Sequence, residues 1–497
     1  MRDFALIHVN GVRREIRGRD ALMMMADWLR REAGLPGTKI VCAEGDCGAC
    51  TVLRAVPDPT SRFTSQAIST TTELLRFEMM NSCIALVAQF DGAHIVTVEG
   101  MCCGDKLSPA QEAMRVCHGS QCGYCTPGFV MAMSEMLERH ERADARTAAN
   151  YLTGNLCRCT GYSPILEAAV AVRASETHSV ARRYSNCDAV AESLATTKQS
   201  VLVEHEGVKF FAPVTVREAV TFAANNPGSR VIAAATDLGV QVNKGSPLPR
   251  ALLSLHLIDE LSVAKVTRRG VSVGARVTLA QVRRMCESVA PEFARFLNLF
   301  ASPQIKNVAT LVGNIANASP IGDTLPFLLI AGGVVHVASR PGGRGPVCRR
   351  SIPMTELYVG YKRLALADGE IITHVTFDRT PPRELLRLYK VSQRKDLDIS
   401  AISCAFSVTR NTSGRRGATP EIASARIAFG GVAAMPMRLP EAEQALCGEL
   451  THERIEFVAH LIARTINPIS DVRGSGTYRR VTAANLFRRF GNEALRG

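Results

Sequence analysis

No Gly-x-Gly-x-x-Gly stretch occurs in the 497 residues, which argues against a Rossmann dinucleotide domain. Nor does any run approach the ~18 apolar residues of a membrane helix. The opening Met1 to Asn10 carries no apolar signal segment, so a cytoplasmic location is the expectation. Blocks of Lys and Arg with interleaved aromatic residues are also missing. The net charge of +13 is spread along the chain, which argues against nucleic acid as a partner and leaves attraction of an anionic dinucleotide or an acidic protein surface. There are no internal repeats. Because 46% of the residues are apolar, the composition is globular, and the length implies roughly three or four domains.

What the chain does have is cysteine. Of sixteen, eight stand before residue 160 in two metal-ligand spacings. Cys42, Cys47 and Cys50 read C-x4-C-x2-C, the plant-type 2Fe-2S spacing, amid glycines and small residues that let backbone N–H groups approach sulfur. Cys83 is taken as the fourth ligand because no other cysteine lies between Cys50 and Cys102 and a strand-like Ala93 to Val98 follows. The second set is C-x2-C, Cys122 and Cys125, then C-x-C, Cys157 and Cys159. Its halves read as helix-end loops, and the helical periodicity of Phe129 to Leu137 and of Ala148 to Leu152 would bring them together. The alternatives are structural zinc or reduced thiols for the first set and zinc for the second. Cys102, Cys103, Cys117, Cys187, Cys286, Cys348, Cys404 and Cys447 read as mostly buried spare thiols, in keeping with a reducing compartment.

Residues 4 to about 90 read as short strands around one amphipathic helix, Ala21 to Arg30, and residues 91 to about 168 as helical. Ser175 to Ser200 loses periodicity and reads as a linker. A new unit opens near Phe210 with a capped helix, Thr215 to Val220, and a strand, Arg230 to Ala233. Residues 411–420 read as a hairpin loop in a last α+β unit. Val231 to Gly239 leaves a strand through small residues into a turn where N–H groups would hold a pyrophosphate, although an ordinary tight turn has the same residues. Thr310 to Leu325 has the same character.

These motifs resemble the iron-sulfur and flavin portions of the molybdenum hydroxylases, and over most of its length the chain is similar to the small subunit of bacterial xanthine dehydrogenases. The resemblance implies an α+β multidomain fold. A β-grasp 2Fe-2S ferredoxin domain (1–90) precedes a four-helix 2Fe-2S domain (91–172) and a linker (173–203). A PCMH-like FAD-binding domain (204–383) and a C-terminal α+β flavoprotein subdomain (384–497) follow. It makes all eight cysteines ligands of two 2Fe-2S clusters. It places Gln121 at the edge of a pterin whose molybdenum cofactor is bound by another chain. For FAD it implies that Ile232, Ala233, Ala234, Ala235, Thr236, Asp237, Leu238 and Gly239 line the pyrophosphate and ribityl chain. Phe300 would lie near the isoalloxazine, and Thr310, Gly313, Asn314 and Asn317 would hold phosphate or adenosine. Asp323, Ile372 and Lys390 match further contacts, and Lys390 to Ser400 resembles the loop where NAD approaches. By residue type alone, Phe300 is also a core residue and Lys390 a surface lysine.

Four departures from the family pattern stand out. Val41 precedes the first ligand where glycine is usual, and Ala234 and Val312 replace glycines whose positive φ would strain them. Asn317 stands where some members have threonine. The implied activity is water-derived hydroxylation of a purine, hypoxanthine or xanthine, on a partner molybdenum chain in a heterotetramer serving purine catabolism. Electrons would then pass singly through the second cysteine set, the first set and FAD to NAD+. The alternatives are another molybdenum hydroxylase, acting on an aldehyde or aromatic compound, and a stand-alone electron carrier.

Overall fold

The computed structural model describes residues 1–57, 75–102, 104–174, 179–185, 198–268, 270–411 and 420–496. They form two compact units. The first comprises Met1–Ala219, Gly228–Asp259 and Ser302–Ala309; the second comprises Val220–Pro227, Glu260–Ala301 and Thr310–Gly497.

In the first unit, β1 (Phe4–Val9) and β2 (Val12–Arg17) pair antiparallel across Asn10 and Gly11. Both turn residues have positive φ, the geometry that suits the twist of a two-residue hairpin. Strand β3 (Thr51–Pro57) pairs antiparallel with β4 (Leu75–Asn81) and with β5 (His94–Val96), which runs parallel to β1. Sheet order is β2-β1-β5-β3-β4, so β5, beyond residue 90, is a central strand. Helix Met25–Arg31 buries Met25, Trp28 and Leu29 in one core with Ala5, Ile7 and Ile95. It begins later than the apolar pattern from Ala21 suggests. Met24 is extended and bridges Leu86, while Met25 N–H donates to the Ala85 carbonyl at 2.8 Å, so strand-like pairing overrides propensity there.

Four helices follow: Pro109–Val116, Thr126–Arg139, Ala145–Leu152 and Ser163–Ala171. Their starts are chemically marked. Ser108 and Gln111 form a capping box, Asp144 accepts from Thr147 N–H, and prolines occupy the first turns of the second and fourth. Phe129, Met133, Met136, Ala148 and Ile165 share their core. The expected linker is not wholly irregular. Val180–Ser185 is helical, with Val180 and Tyr184 buried, because the Glu138 carboxylate takes up the N–H groups of Val180 and Ala181. The rest of that segment, 175–178 and 186–197, lies outside the described residues, as do Cys103 and Cys187.

A four-stranded sheet completes this unit in the order β6-β7-β9-β8, where β6 is Val201–His205, β7 Val208–Ala212, β8 Arg230–Ile232 and β9 Ala251–Ser254. The β6/β7 hairpin turns at Glu206 and Gly207, so this part starts about ten residues before Phe210. Helix Val216–Asn225 forms as expected, with Thr215 Oγ1 accepting from Glu218 N–H at 3.2 Å.

The second unit holds an antiparallel sheet in the order β10-β11-β16-β12-β13. Its strands are β10 (Ala264–Val266), β11 (Gly270–Gly274), β12 (Val334–Ser339), β13 (Cys348–Pro353) and β16 (Ile371–Asp378). A separate ribbon pairs β14 (Tyr358–Gly360) with β15 (Arg363–Leu364). Phe293 stacks on Phe327 at 4.0 Å in the core, with Phe377 edge-on to both. A further sheet runs β17 (Glu384–Val391), β18 (Ile402–Arg410), β19 (Glu421–Gly430), β20 (Met437–Arg438). Helices His452–Thr465 and Gly476–Arg496 pack on it through Phe487, Phe490 and Ile462, against Phe406 and Phe429. Strands β18 and β19 pair antiparallel, which fits a hairpin, but its loop, 412–419, lies outside the described residues.

Of the spare thiols, Cys286 and Cys404 are buried and Cys102, Cys117 and Cys447 partly so. Cys348 departs from that expectation. It opens β13, an edge strand with five of six residues out of the core, and is exposed. Among the described residues no helix is long and apolar enough to cross a membrane.

Candidate iron-sulfur and flavin sites

Both cysteine sets converge within the first unit. The first occupies the loop ahead of β3 and the short turn after β4, so the hairpin formed by these strands carries Cys50 and Cys83 to the same end. The Cys42 sulfur accepts from the Cys47 and Cys83 thiols, which holds it well below the ordinary thiol range. Cys83 in turn hydrogen-bonds Cys42 and Cys50, and these bonds, with burial, push it up. Positive φ at Ala43, Gly45 and Gly48 folds the loop tightly between these cysteines. Val41 itself is exposed.

The second set sits between helix ends. Cys125 precedes Thr126–Arg139, while Cys157 and Cys159 lie between Ala145–Leu152 and Ser163–Ala171. The Cys159 thiol approaches Cys122 Sγ at 3.5 Å. Burial, then a bond to Cys157, raises Cys125 to about 12. Cys122, Cys159 and Gln121 are exposed, whereas Cys157 is buried.

Among the described residues no three His, Cys, Asp or Glu side chains close around a single ion. Within each set the thiols hydrogen-bond one another, Cys83 with both Cys42 and Cys50 and Cys42 also with Cys47 in the first, Cys122 with Cys159 and Cys125 with Cys157 in the second. Donors to sulfur are also in place. Glu44 N–H reaches Cys42 Sγ at 3.4 Å, Asn81 Nδ2 reaches Cys50 Sγ at 3.7 Å, and the Thr160 hydroxyl lies 3.2 Å from Cys157 Sγ. Such bonds stabilise the more negative, reduced state of an iron-sulfur centre. Asn81 and Thr160 were not among the residues singled out from sequence. Only their closeness to candidate cysteines, two residues before Cys83 and one after Cys159, pointed to them.

The flavin candidates fall into two groups, one in each unit. In the first unit β8 runs through Ala233 and Ala234 to Ala235, whose φ of 54° turns the chain into helix Thr236–Asn243. No side chain caps that helix start, so its first N–H groups have no side-chain acceptor. The positive φ therefore falls at Ala235, not at Ala234 or Val312; Val312 is ordinary helix. The helix lies on the first cysteine loop. Asn243 Nδ2 donates to the carbonyls of Ala43 and Cys83, both at 2.8 Å, and a methyl at Gly239 would sit 2.0 Å from Ile84 O.

In the second unit Thr310 Oγ1 accepts from Gly313 N–H at 2.9 Å and caps helix Leu311–Asn317, so these two satisfy each other. The Thr324 hydroxyl donates to Asn314 Oδ1 at 2.7 Å. Asp323 is buried, accepting from Lys390 Nζ at 2.5 Å and from Ser400 Oγ at 2.6 Å. Lys390, a surface lysine by residue type, is thus a buried ion-pair partner. Ile372 is buried in β16, while Phe300 and Asn317 are half-buried. The charged loop after Lys390 is ordered by Arg394 N–H donating to Asp398 at 3.0 Å, and it holds Leu397 at φ 61°.

Four family models match the chain in succession. They are a 2Fe-2S iron-sulfur cluster binding domain over residues 7–88, a 2Fe-2S binding domain over 97–170, an FAD binding domain in molybdopterin dehydrogenase over 206–379, and a CO dehydrogenase flavoprotein C-terminal domain over 387–494. The xanthine dehydrogenase of Oryza sativa subsp. japonica is 29% identical over 90% of this chain, and the xanthine dehydrogenase/oxidase of Gallus gallus is 26% identical over 91%. The chain spans little more than a third of these relatives, 36% and 37% of their lengths. Two solved structures share the fold over part of the chain. Carbon monoxide dehydrogenase from Hydrogenophaga pseudoflava is 22% identical with a TM-score of 0.52, covering 56% of this chain and 94% of that one. Quinoline 2-oxidoreductase from Pseudomonas putida 86 is 23% identical with a TM-score of 0.51, covering 57% and 96%. With two 2Fe-2S domains followed by a two-part flavin domain, the chain belongs to the iron-sulfur and FAD modules of the molybdenum hydroxylases.

Proposed function

We propose that this chain is the electron-transfer subunit of a xanthine dehydrogenase, acting in the cytoplasm in a heterotetramer with a larger chain that binds the molybdenum cofactor. Cys42, Cys47, Cys50 and Cys83 hold one cluster, and Cys122, Cys125, Cys157 and Cys159 the other. The FAD contacts are Ile232 to Gly239, Phe300, Thr310, Gly313, Asn314, Asn317, Asp323, Ile372 and Lys390. Bound clusters supply one-electron exchange, and FAD links it to the two-electron chemistry of NAD+.

The chain's own residues give this reading its order. Exposed Cys122, Cys159 and Gln121 form a face for the partner and its pterin. The observation that carries the reading is the meeting of the cysteine loops, where Leu156 N–H donates to the Cys47 carbonyl at 3.0 Å. From there the first loop reaches helix Thr236–Asn243 through Asn243. The positive φ of Leu397 costs an unbranched-at-Cβ but bulky residue conformational energy, and such strain collects at binding loops, which supports NAD contact there. Relatives that are xanthine dehydrogenases over 90% of the chain favour a purine substrate.

Co-expression with a candidate molybdenum chain and analysis of the purified complex tests this. Iron and flavin in a ratio of about four to one, with molybdenum only when the partner is present and xanthine-dependent NAD+ reduction, is the expected result. Zinc in the cysteine sites, or failure to form any such complex, contradicts it. Turnover of an aldehyde or aromatic compound but not of xanthine would support a different hydroxylase.

A further inference from the structure

Three segments distant in sequence meet in a buried polar knot within the first unit. Asn155, 3% exposed, donates from Nδ2 to the Gly48 carbonyl at 3.1 Å. Its Oδ1 accepts from Gln304 Nε2 at 2.9 Å, and the same Nε2 lies 3.3 Å from Thr51 Oγ1. Gln304 is fully buried. Asn155 sits two residues before Cys157, and Gly48 lies between Cys47 and Cys50, so the knot ties one cysteine loop to the other.

Close approach is built into the backbone here. A methyl at Gly128 would stand 2.2 Å from Gly48 O, one at Gly48 2.4 Å from Gly154 O, and one at Gly154 1.9 Å from Gln304 Oε1. Only hydrogen fits at the three positions. The result is the bond from Leu156 N–H to Cys47 O, which connects the residue before Cys157 to the residue Cys47 itself.

We propose that Asn155 and Gln304 are positioning residues for electron exchange between the two clusters, an inference that rests on the proposed cysteine ligands. Neither side chain touches a cysteine sulfur. Each fixes the contact of the loops, and thereby the separation across which one electron leaves one diiron centre as the other takes it up, with no bond made or broken. Such exchange falls steeply with distance, so a small opening of the loops slows it without removing either cluster.

The test uses the full chain purified with its iron and flavin. Gln304→Met keeps the shape and removes the donor to Asn155; Asn155→Ala removes the donor to Gly48. Iron content, the splitting in the EPR spectrum of the fully reduced protein that reports magnetic coupling between the clusters, and the intercluster rate after pulse reduction are measured for each. The expected result is unchanged iron, weakened splitting and an intercluster rate lowered several-fold. Unchanged splitting and rate in both variants would overturn the proposal. So would loss of a cluster from Gln304→Met, since the knot would then serve cluster retention. A wild-type chain without two 2Fe-2S signals would instead sink the ligand assignment beneath it.

Discussion

Lys390 Nζ donates to the Asp323 carboxylate at 2.5 Å, with 3% and 4% of the two side chains exposed. Two charges so far from water are tolerable only together, and Ser400 satisfies the second carboxylate oxygen. Lys390→Met leaves a buried carboxylate alone and should cost about 3 to 5 kcal/mol by denaturant unfolding. The double variant with Asp323→Leu should recover most of it, giving a large coupling energy in a double-mutant cycle. If this pair orients FAD, both single variants also release flavin, read as loss of its visible absorbance after gel filtration.

Cysteine replacements separate ligands from spare thiols. Cys83→Ser and Cys157→Ser should each remove one cluster, lowering iron by about half and deleting one of two EPR signals. In the complex proposed above, Cys157→Ser should abolish xanthine-to-NAD+ turnover and leave NADH-to-dye activity through the flavin. Cys348→Ser, at an exposed edge position, should change neither signal. Retention of both signals in Cys157→Ser would refute its assignment.

Ligand spacing made the cysteine sites legible, because metal chemistry constrains a few residues in a row. Cys83 was chosen by elimination, and the β3/β4 pairing brings it to the same end of the sheet as Cys50. The cap residues Ser108 and Asp144 were equally local signals. Gln304 was illegible for the opposite reason. It lies 149 residues from Asn155, and nothing near it in sequence betrays a partner so distant. The same holds for Lys390, whose burial depends on Asp323, 67 residues away. The late start of helix Met25–Arg31 was hidden because Met24 has good helix propensity, yet it bridges Leu86 across the fold.

A buried carboxylate should set a pH dependence of stability. Glu135 is pushed up to about 7, chiefly by burial, with Arg139 opposing and Glu78 assisting. Its Oε2 accepts from Met79 N–H at 2.7 Å and lies 3.3 Å from Asn307 Nδ2; Arg139 lies 3.1 Å from Oε1, and Arg54 pairs with Glu78 at 3.7 Å. The folded chain therefore binds this proton more tightly than the unfolded chain, whose glutamate titrates near 4.5. Stability falls as pH rises from about 4.5 to about 7 and is level above, a change of up to about 3 kcal/mol from this group. In Glu135→Gln that slope should vanish while the acceptor to Met79 remains. Denaturant titrations at several pH values check it, and an unchanged slope would place the proton elsewhere.

Helix Thr236–Asn243 comes close to the turn that carries Cys83 at Gly239, where an added methyl meets Ile84 O at 2.0 Å and the Ile84 Cα at 2.8 Å. Both are backbone atoms, so no side-chain rotation relieves the clash. Gly239→Ala must push the helix away from the turn Ser82–Ile84, which carries Cys83. The cost should be about 1 to 3 kcal/mol, as for overpacking of a filled core. Glycine here is not needed for its φ, which is that of an ordinary helix, so the penalty is one of space alone. Thermal unfolding should show a lowered midpoint, and the EPR signal of the first cluster should broaden or shift while that of the second stays as it was. An alanine variant with wild-type stability and an unaltered first-cluster spectrum would mean that this helix does not press on the Cys83 turn.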